Sequence, residues 1–300
     1  MSGATLQSDL LQRFLFDNAP IRGEWVNLQE CWQEVLLRHD YPPAIRRVLG
    51  EMMAAAALLT ETVKISGRLV LQIRSKGPVS LMMVECTSEH TLRAFAQWQG
   101  HVTDDAGLKD VTGDGTLAIT IEMEDAKQPY QGVVSLQDDS IANTLETYFE
   151  QSEQLATRIW LSASDHAASG LLLQQLPSEE KQKHETEEHW SRISQLAATV
   201  TDDELLNLDI ETLLHRLFHE EQVRLFEPAS LAFACTCSRS RVAETISLLG
   251  KQEAEQILDE QGEIEVACEF CNEHYHFDKV DVTELFIDTV SAESDPNTLH

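Results

Sequence analysis

Two short stretches of sequence decide how the C-terminal part of this chain folds: ACTCSRSR at residues 234–241 and ACEFCNEHYHF at residues 267–277. They contain four cysteines, a Cys-x-Cys pair and a Cys-x-x-Cys pair separated by 30 residues. These are Cys235, Cys237, Cys268 and Cys271. Four thiolates in two close pairs suit tetrahedral zinc. The sequence therefore predicts one Zn²⁺ ion held by these four sulfurs.

The module that carries these cysteines, predicted over residues 226–300, has few large apolar residues and hence a small core. Its pattern indicates a strand, two helices, a hairpin and a final helix. They are expected at Leu231–Cys235, Arg239–Leu249, Glu253–Glu260, Ile264–Phe277 and Val280–Thr289. A structural zinc ion contributes ~10–16 kcal/mol of apparent binding free energy, whereas a typical domain is stable by only ~5–15 kcal/mol. Oxidation of the sulfurs removes the ligands, so we expect it to unfold the module.

Two other uses of the cysteines remain open at this point. A thiol-disulfide oxidoreductase would use Cys268 and Cys271 alone, near a βαβ unit, but no such unit precedes them. A structural zinc ribbon for nucleic acid needs basic surroundings, whereas acidic residues flank the second pair. His274 and His276 could compete as ligands, but with four cysteines available we expect them beside the site.

Residues 1–177 alternate between helical and strand periodicity. Helices are predicted at Leu28–Leu37, Ala44–Val63 and Ile141–Gln154. Strands are predicted where β-branched residues or alternating patterns occur. They are Arg68–Ser75, Val79–Cys86, Thr91–Gln97, Leu117–Met123, Gly132–Leu136, Thr157–Ser162 and Ser169–Leu176. The sequence therefore predicts an N-terminal α+β domain with a mostly antiparallel sheet and packed helices.

Residues 178–225 begin with a run of charges and continue as two narrow apolar stripes. The stripes span 190–200 and 210–218 at helical spacing, and Thr201 and Glu204 have the spacing of a capping box. Short helices of this kind are marginal in isolation, so we predict a helical linker that folds only when it docks on another surface. The pattern fits an ordinary interdomain linker as well as a segment poised to unfold. In the second case, the stripes form part of an apolar surface that is hidden in the resting protein.

The charge of the chain is strongly negative and unevenly distributed. The 300 residues include 51 acidic and 22 basic ones, a net charge of -29, and 28 acidic but only 9 basic residues lie within 178–300. Such a surface repels phosphate backbones, so we expect no nucleic-acid partner. The longest strongly apolar run, Met52–Leu59, is too short to cross a bilayer, and no secretory signal is recognisable. We therefore expect no membrane partner and a cytoplasmic location.

The remaining cysteines and the histidines show no catalytic pattern. Cys31 and Cys86 fall within helix and strand patterns and are expected to be buried structural thiols, since disulfides are rare in reducing compartments. His215 and His219 are four residues apart, but Arg216 occupies the place where a zinc protease needs Glu. No phosphate-binding loop is present. The sequence thus predicts a protein that is not an enzyme and does not bind ATP.

Several short motifs in this order resemble those of one family. They are Arg22-Gly23-Glu24, Tyr130-Gln-Gly-Val-Val134, Ser152-Glu-Gln-Leu155, the Cys-x-Cys pair followed by Ser238-Arg239-Ser240-Arg241, and the Cys-x-x-Cys pair followed by His274-Tyr275. Together with the acidic linker, they resemble the heat-shock protein 33 family of redox-regulated holdase chaperones over nearly the whole chain. Two positions depart from the family pattern: Asn272 stands where Gly is frequent, and Ala156 stands where Pro is usual. Asn is the next most tolerant residue for a left-handed backbone, so the second knuckle is expected to form.

The resemblance implies an ATP-independent chaperone that is inactive when reduced and zinc-bound. It further implies that oxidation forms the disulfides Cys235–Cys237 and Cys268–Cys271, releases zinc, and unfolds the linker and the C-terminal module. The oxidised protein then binds unfolding or oxidatively damaged client proteins, usually as a homodimer.

Overall fold

The computed structural model of the chain describes residues 8–292 with the exception of 64, 127, 138 and 178–182. The charged start of the predicted linker, at 178–182, therefore lies outside the described residues. Contacts divide the chain into two units, one up to Ala234 and one from Cys235. Within the described ranges, no helix combines the length and the apolar character needed to cross a membrane.

Helices and strands alternate along both units. The strands are β1 (Leu10–Phe16), β2 (Ile21–Leu28), β3 (Gly67–Arg74), β4 (Val79–Thr87), β5 (Thr91–Trp98), β6 (Thr116–Met123), β7 (Tyr130–Ser135), β8 (Thr157–Ala163), β9 (Ala168–Gln175), β10 (Val223–Leu225), β11 (Ala229–Ser230), β12 (Ala232–Phe233), β13 (Ile264–Ala267) and β14 (His274–Phe277). The helices are α1 (Glu30–Leu36), α2 (Pro43–Val63), α3 (Leu108–Thr112), α4 (Ile141–Tyr148), α5 (Lys183–Ala197), α6 (Asp202–Asn207), α7 (Ile210–Phe218), α8 (Arg239–Leu249), α9 (Lys251–Gln261) and α10 (Lys279–Ala292). A π-helical turn, Phe149–Glu153, follows α4.

The first unit contains two sheets with α2 between them. The first sheet has the order β10-β1-β2-β9-β8, with β11 also paired to β1, and the second has the order β12-β5-β4-β3-β6-β7. All pairs are antiparallel except β12 with β5. The middle of α2, from Met52 to Thr60, is buried on all sides because it faces both sheets, whereas the charged residues of the helix lie nearer its ends. The predicted α+β class with antiparallel pairing is confirmed, but the strands are shared between two sheets.

Most predicted elements of residues 1–177 lie within two residues of their observed bounds. The predicted helix at 141–154 is α-helical only to Tyr148 and then becomes the π-helical turn, which ends at Gln154 with φ 54°. The sequence analysis did not predict β1 and β2. Strand β2 is buried on both faces, so it lacks the alternation that identifies a half-exposed strand. Gly23 of β2 is required there, because a Cβ atom would lie 2.1 Å from the Phe14 ring.

The second unit contains α8, α9, the β13–β14 hairpin and α10, as the sequence analysis predicted. The strand predicted at Leu231–Cys235 is only the two-residue β12, and it pairs with β5 in the first unit instead of joining this module. Its buried apolar residues form one small cluster among the described side chains. They are Ile246, Ala254, Leu258, Ile264, Phe277 and Val282. Six buried side chains are a small core for a module of this length, which agrees with the expected need for a metal or cross-links.

Candidate metal centre

The first pair of cysteines lies in a turn that leads directly into α8. Ser238 is the N-cap of α8, and its hydroxyl accepts a hydrogen bond from the Arg241 backbone N–H at 3.3 Å. The Arg241 guanidinium donates to both the backbone oxygen and the hydroxyl of Thr236, each at 2.8 Å. Thr236 lies between Cys235 and Cys237, so these contacts hold the turn that carries both sulfurs.

The second pair lies in the turn of the β13–β14 hairpin. The Asn272 N–H donates to the Cys268 carbonyl at 2.8 Å, and the Cys268 N–H donates to the Glu273 carbonyl at 2.9 Å. Asn272 has φ 56°, in the left-handed region where Gly is favoured and Asn is tolerated. The expectation that Asn272 preserves this knuckle is therefore confirmed.

The two turns bring the four sulfurs together, each within 4.8 Å of the others. Cys235 Sγ is 3.7 Å from Cys268 Sγ, and Cys237 Sγ is 3.3 Å from Cys271 Sγ. In a tetrahedral zinc site with Zn–S bonds of ~2.3 Å, adjacent sulfurs are separated by about 3.8 Å. The observed spacing fits one tetrahedral ion, so these four cysteines could hold a metal ion.

The thiols of the cluster influence one another strongly. Burial alone would raise the pKa of Cys235, but hydrogen bonds from the Cys237 backbone and from neighbouring thiols outweigh it and lower this pKa to about 7. For Cys271, burial and the hydrogen bonds to neighbouring thiols raise the pKa. The first proton therefore leaves easily and later ones do not, since like charges accumulate in a small volume. A bound dication would offset this repulsion and allow all four sulfurs to be deprotonated.

Aromatic and charged side chains brace the two turns. The Tyr275 hydroxyl donates to Cys237 Sγ at 3.1 Å. The Arg239 guanidinium lies 4.2 Å from the centre of the Phe277 ring and forms an ion pair with Asp281 at 2.8 Å. Arg239 also donates to the His276 carbonyl at 2.6 Å, so the guanidinium groups of Arg239 and Arg241 both bind backbone near the cysteines. The sequence analysis did not identify the role of Tyr275, which only the β14 register reveals.

The histidines near the site are not part of the sulfur cluster. His274 pairs with Glu265 at 2.6 Å, and His276 lies 3.5 Å from Glu263. Both pairs lie on the exposed surface of the hairpin. The expectation that four cysteines leave the histidines beside the site is therefore confirmed.

The two other cysteines lie in the first unit, where Cys31 of α1 and Cys86 of β4 are almost completely buried. Burial raises the pKa of both thiols, that of Cys86 to about 12. Since oxidants attack thiolates, these two residues are poor redox groups. The prediction of buried structural thiols is confirmed.

The predicted linker helices dock on the outer face of the first sheet. Apolar residues of β1, β2 and β9 form one buried cluster with those of α5, α6 and α7. The sheet contributes Phe14, Phe16, Ile21, Trp25, Leu171 and Leu173, and the helices contribute Ile193, Ala197, Leu205, Ile210, Leu213, Leu214, Leu217 and Phe218. Both predicted stripes are thus buried. The stripes cover strands β1, β2 and β9, of which the sequence analysis predicted only β9.

Hydrogen bonds and ion pairs connect the three linker helices, α5, α6 and α7. The predicted capping box is present: the Glu204 N–H donates to Thr201 Oγ1 at 3.3 Å, and the Thr201 N–H donates to the Glu204 carboxylate at 3.0 Å. Arg216 of α7 forms an ion pair with Glu204 at 2.6 Å, and Arg192 of α5 forms one with Glu221 at 2.9 Å. The Arg192 and Arg216 side chains are 54% and 36% exposed, whereas Glu221 and Glu204 are 8% and 23% exposed. Solvent therefore partly screens both ion pairs, and each adds less free energy than burial of the apolar side chains. Docking therefore depends mainly on the apolar cluster.

Comparisons with known proteins agree along nearly the whole chain. A model of the Hsp33 protein family matches residues 9–278. The 33 kDa chaperonin of Nitrosococcus oceani is 50% identical over 284 residues, which cover 95% of this chain and 96% of that protein. The 33 kDa chaperonin of Shewanella putrefaciens is 47% identical over 281 residues, covering 94% and 96%. The crystal structure of a 33 kDa chaperonin from Thermotoga maritima, described as a heat shock protein 33 homolog, superposes with a TM-score of 0.81 at 25% identity and covers 94% of this chain and 99% of its own.

Proposed function

Because the chain belongs to the Hsp33 family, we propose that it is a redox-regulated, ATP-independent chaperone that holds unfolding proteins in the cytoplasm under oxidative stress. The reduced, zinc-bound form is the inactive one. The single observation that carries this proposal is the cluster of four cysteine sulfurs within 4.8 Å of one another, in a unit whose own core is small. The protein has no catalytic role in this scheme.

Zinc is the metal that the four sulfurs suit best. Four cysteine thiolates with the observed spacing form a closed, tetrahedral, structural type of site, without an open position for substrate. Bound zinc would keep Cys235, Cys237, Cys268 and Cys271 deprotonated and link the two turns. Since the second unit has only a small apolar core, its stability would then depend on these four sulfurs.

Activation is an oxidation of the four sulfurs. Cys235 with Cys237, and Cys268 with Cys271, each form a disulfide and give up two electrons. For each disulfide, hydrogen peroxide accepts the two electrons, takes two protons from solvent because the zinc-bound sulfurs carry none, and is reduced to two water molecules. Sulfur in a disulfide no longer carries the thiolate charge that binds the metal. The four ligands are lost together, and the second unit loses the interaction that stabilises it.

Unfolding then spreads to the linker, and this defines three functional parts. We assign residues 1–177 to a stable core domain, 178–225 to the linker and 226–300 to the redox switch. Release of α5, α6 and α7 uncovers the apolar face formed by β1, β2 and β9, together with the apolar stripes of the helices themselves. Such a surface binds unfolding clients, and we expect the oxidised protein to be a homodimer. Neither nucleic acid nor a membrane is required.

An aggregation assay tests the proposal directly. Chemically unfolded citrate synthase is diluted into buffer with reduced, zinc-loaded protein or with peroxide-treated protein, and light scattering is recorded. We expect stoichiometric suppression of aggregation only by the oxidised form, without ATP. Equal behaviour of the two forms would contradict redox regulation. Turnover in an insulin-reduction assay would instead indicate a thiol-disulfide oxidoreductase, and a function destroyed by oxidation would indicate a structural zinc module.

A further inference from the structure

Strand β7 is the outer strand of the second sheet. It pairs with β6 on one side, and no other strand of the described residues pairs with its second side. The Leu136 N–H donates to the Gly115 carbonyl at 3.0 Å, which marks Gly115 and Leu136 as a hydrogen-bonded pair of the ladder. Hydrogen-bonded and non-hydrogen-bonded pairs alternate along an antiparallel ladder. Gln131, Val133 and Ser135 therefore direct their backbone N–H groups away from β6.

The corresponding edge of the first sheet is protected, which makes the open edge of β7 a specific feature. Strand β8 is the outer strand there, and α4 lies against it. The Ile159 N–H of β8 donates to the Glu146 carboxylate at 2.7 Å, so a side chain of α4 already occupies that edge. The Arg158 guanidinium also binds Glu146, at 2.8 Å. The outward N–H groups of β7 have no such partner among the described contacts.

The side chains of β7 also lack the usual protection of an edge strand. Natural edge strands carry Lys, Pro or inward-pointing charges that block further pairing. Residues 130–135 read Tyr-Gln-Gly-Val-Val-Ser and carry no charge, and the one proline nearby, Pro129, precedes the strand and leaves its outward N–H groups in place. Tyr130 and Val133 are 45% and 61% exposed, on opposite faces of the strand. The Tyr130 hydroxyl donates to Glu153 at 3.4 Å and accepts from the Tyr148 hydroxyl at 3.2 Å, which leaves the ring as the apolar part of that face. An added strand would therefore find free backbone groups at its edge and an apolar side chain on each face.

From these contacts we infer that the outer edge of β7 binds an extended segment of an unfolding client and adds it to the second sheet as a further strand. This inference rests on the proposed chaperone function and locates one of its binding surfaces. Outward groups recur every second residue, about 6.8 Å apart, and only another extended backbone matches that spacing. Unfolded chains expose such segments without regard to sequence.

Charge determines which occupant fits this edge. The sequence around β7 is mainly acidic, with Glu124 and Asp125 before it, Asp138 and Asp139 after it, and one base, Lys127. Of these acids, Asp139 is paired with Lys109 at 3.6 Å. In an antiparallel pairing of β7 with β7 of a second copy, each acidic end would meet the acidic end of the other chain, and both chains carry a net charge of -29. An apolar client segment with flanking Lys or Arg avoids this repulsion. The edge therefore selects a foreign, uncharged or basic segment over a second copy.

The open edge is compatible with an inactive resting state. Strand addition to β7 alone would bury few apolar side chains, and a single short strand binds weakly. Release of α5, α6 and α7 would add the apolar face of the first sheet as a second point of attachment for the same client. Two weak sites on one chain give strong binding through effective concentration. The edge of β7 thus contributes main-chain contacts that do not depend on the client sequence. The face of the first sheet that the redox switch uncovers contributes the apolar contacts.

Val133→Pro tests the inference with the full-length protein. Because the Val133 N–H points away from β6, proline removes the outward donor without breaking the β6–β7 ladder. Val133→Ala is the matched control, which removes the exposed side chain and keeps the donor. The probe is a fluorescent peptide of alternating Val and Thr with two Lys at each end. We expect the oxidised Val133→Pro protein to bind it about tenfold more weakly than the wild type, and Val133→Ala within about twofold.

Three further measurements make the result decisive. Thermal unfolding of reduced Val133→Pro should match the wild type, and the amide protons of Gln131 and Val133 should exchange more slowly when the peptide is bound. Equal peptide binding by wild type and Val133→Pro, or protection of these amides in a dimer without peptide, overturns the inference. If oxidised wild type suppresses citrate synthase aggregation and Val133→Pro does so equally, only the edge inference fails. If oxidised wild type itself does not suppress aggregation, the proposed function fails.

Discussion

Replacing Leu213 and Leu217 of α7 by Asp should activate the protein without oxidant. Both leucines lie in the apolar cluster between the linker helices and the first sheet, with 0% and 2% of their surface exposed. Truncation of a buried Leu to Ala costs ~2–5 kcal/mol, and a carboxylate cannot stay ionised in such a site without a partner. The double substitution should therefore weaken docking by at least about 4 kcal/mol, which shifts the docked-to-undocked ratio roughly a thousandfold.

The assay compares reduced, zinc-loaded variant with reduced wild type in the suppression of citrate synthase aggregation, and limited proteolysis reports whether residues 183–218 are released. We expect the variant to suppress aggregation without peroxide and to be cleaved in this segment. A matched control is the double variant Leu37→Asp and Leu248→Asp, because these leucines are 76% and 89% exposed and should tolerate the charge. Unchanged resting activity together with unchanged protease resistance would refute the idea that docking of the linker holds the protein inactive.

Three other predictions follow from the same contacts. Reduced protein should contain one zinc ion per chain by metal analysis. A chelator under reducing conditions should remove the helical circular dichroism of α8, α9 and α10. A second unit that keeps its fold without metal would contradict the claim that zinc stabilises it. Mass mapping after peroxide treatment should find Cys235–Cys237 and Cys268–Cys271, and not the crossed pairs Cys235–Cys268 and Cys237–Cys271, whose sulfurs are also close. Burial raises the pKa of Glu24 from 4.5 to about 7. The folded protein therefore retains a proton that the unfolded chain loses above pH 4.5. As a result, the free energy of unfolding falls by about 3 kcal/mol as the pH rises to 7. Burial also raises the pKa of Glu51 to about 7, so Glu24→Gln should reduce this slope without abolishing it when urea unfolding at pH 5 and pH 8 is compared. An unchanged slope would assign the effect elsewhere.

Elements with a local pattern were predictable, and elements defined by distant partners were not. Helix α2 and strands β3 to β6 follow from apolar periodicity and β-branched residues, because each repeats a simple pattern over eight or more residues. Strand β2 was not predicted because α5, α6 and α7 cover its outer face, so residues on both faces of the strand are apolar. The π-helical turn after α4 was likewise invisible, since it depends on how the chain enters β8.

The cysteines of the candidate site were predictable from the sequence, and the side chains that contact them were not. The four cysteines were identified from spacing alone, because short turns determine which sulfurs are near each other. The hydrogen bond from Tyr275 to Cys237 and the ion pair of Arg239 with Asp281 were not, since each joins segments about 40 residues apart. The apolar stripes of the linker were also predicted, but the surface that covers them was not.

The sequence by itself determined which four cysteines are the candidate metal ligands, the strong negative charge, the class of most elements and the need of the linker helices for a docking surface. All of these depend on the identity and short-range spacing of residues, which act within a turn or a few turns of chain. Only the tertiary structure decided that the docking surface is formed by β1, β2 and β9, and that β7 is left with an open edge while α4 closes the edge of β8. These properties depend on which distant strands pair and in what order, and the free energy of that choice is spread over many contacts rather than encoded in one local pattern.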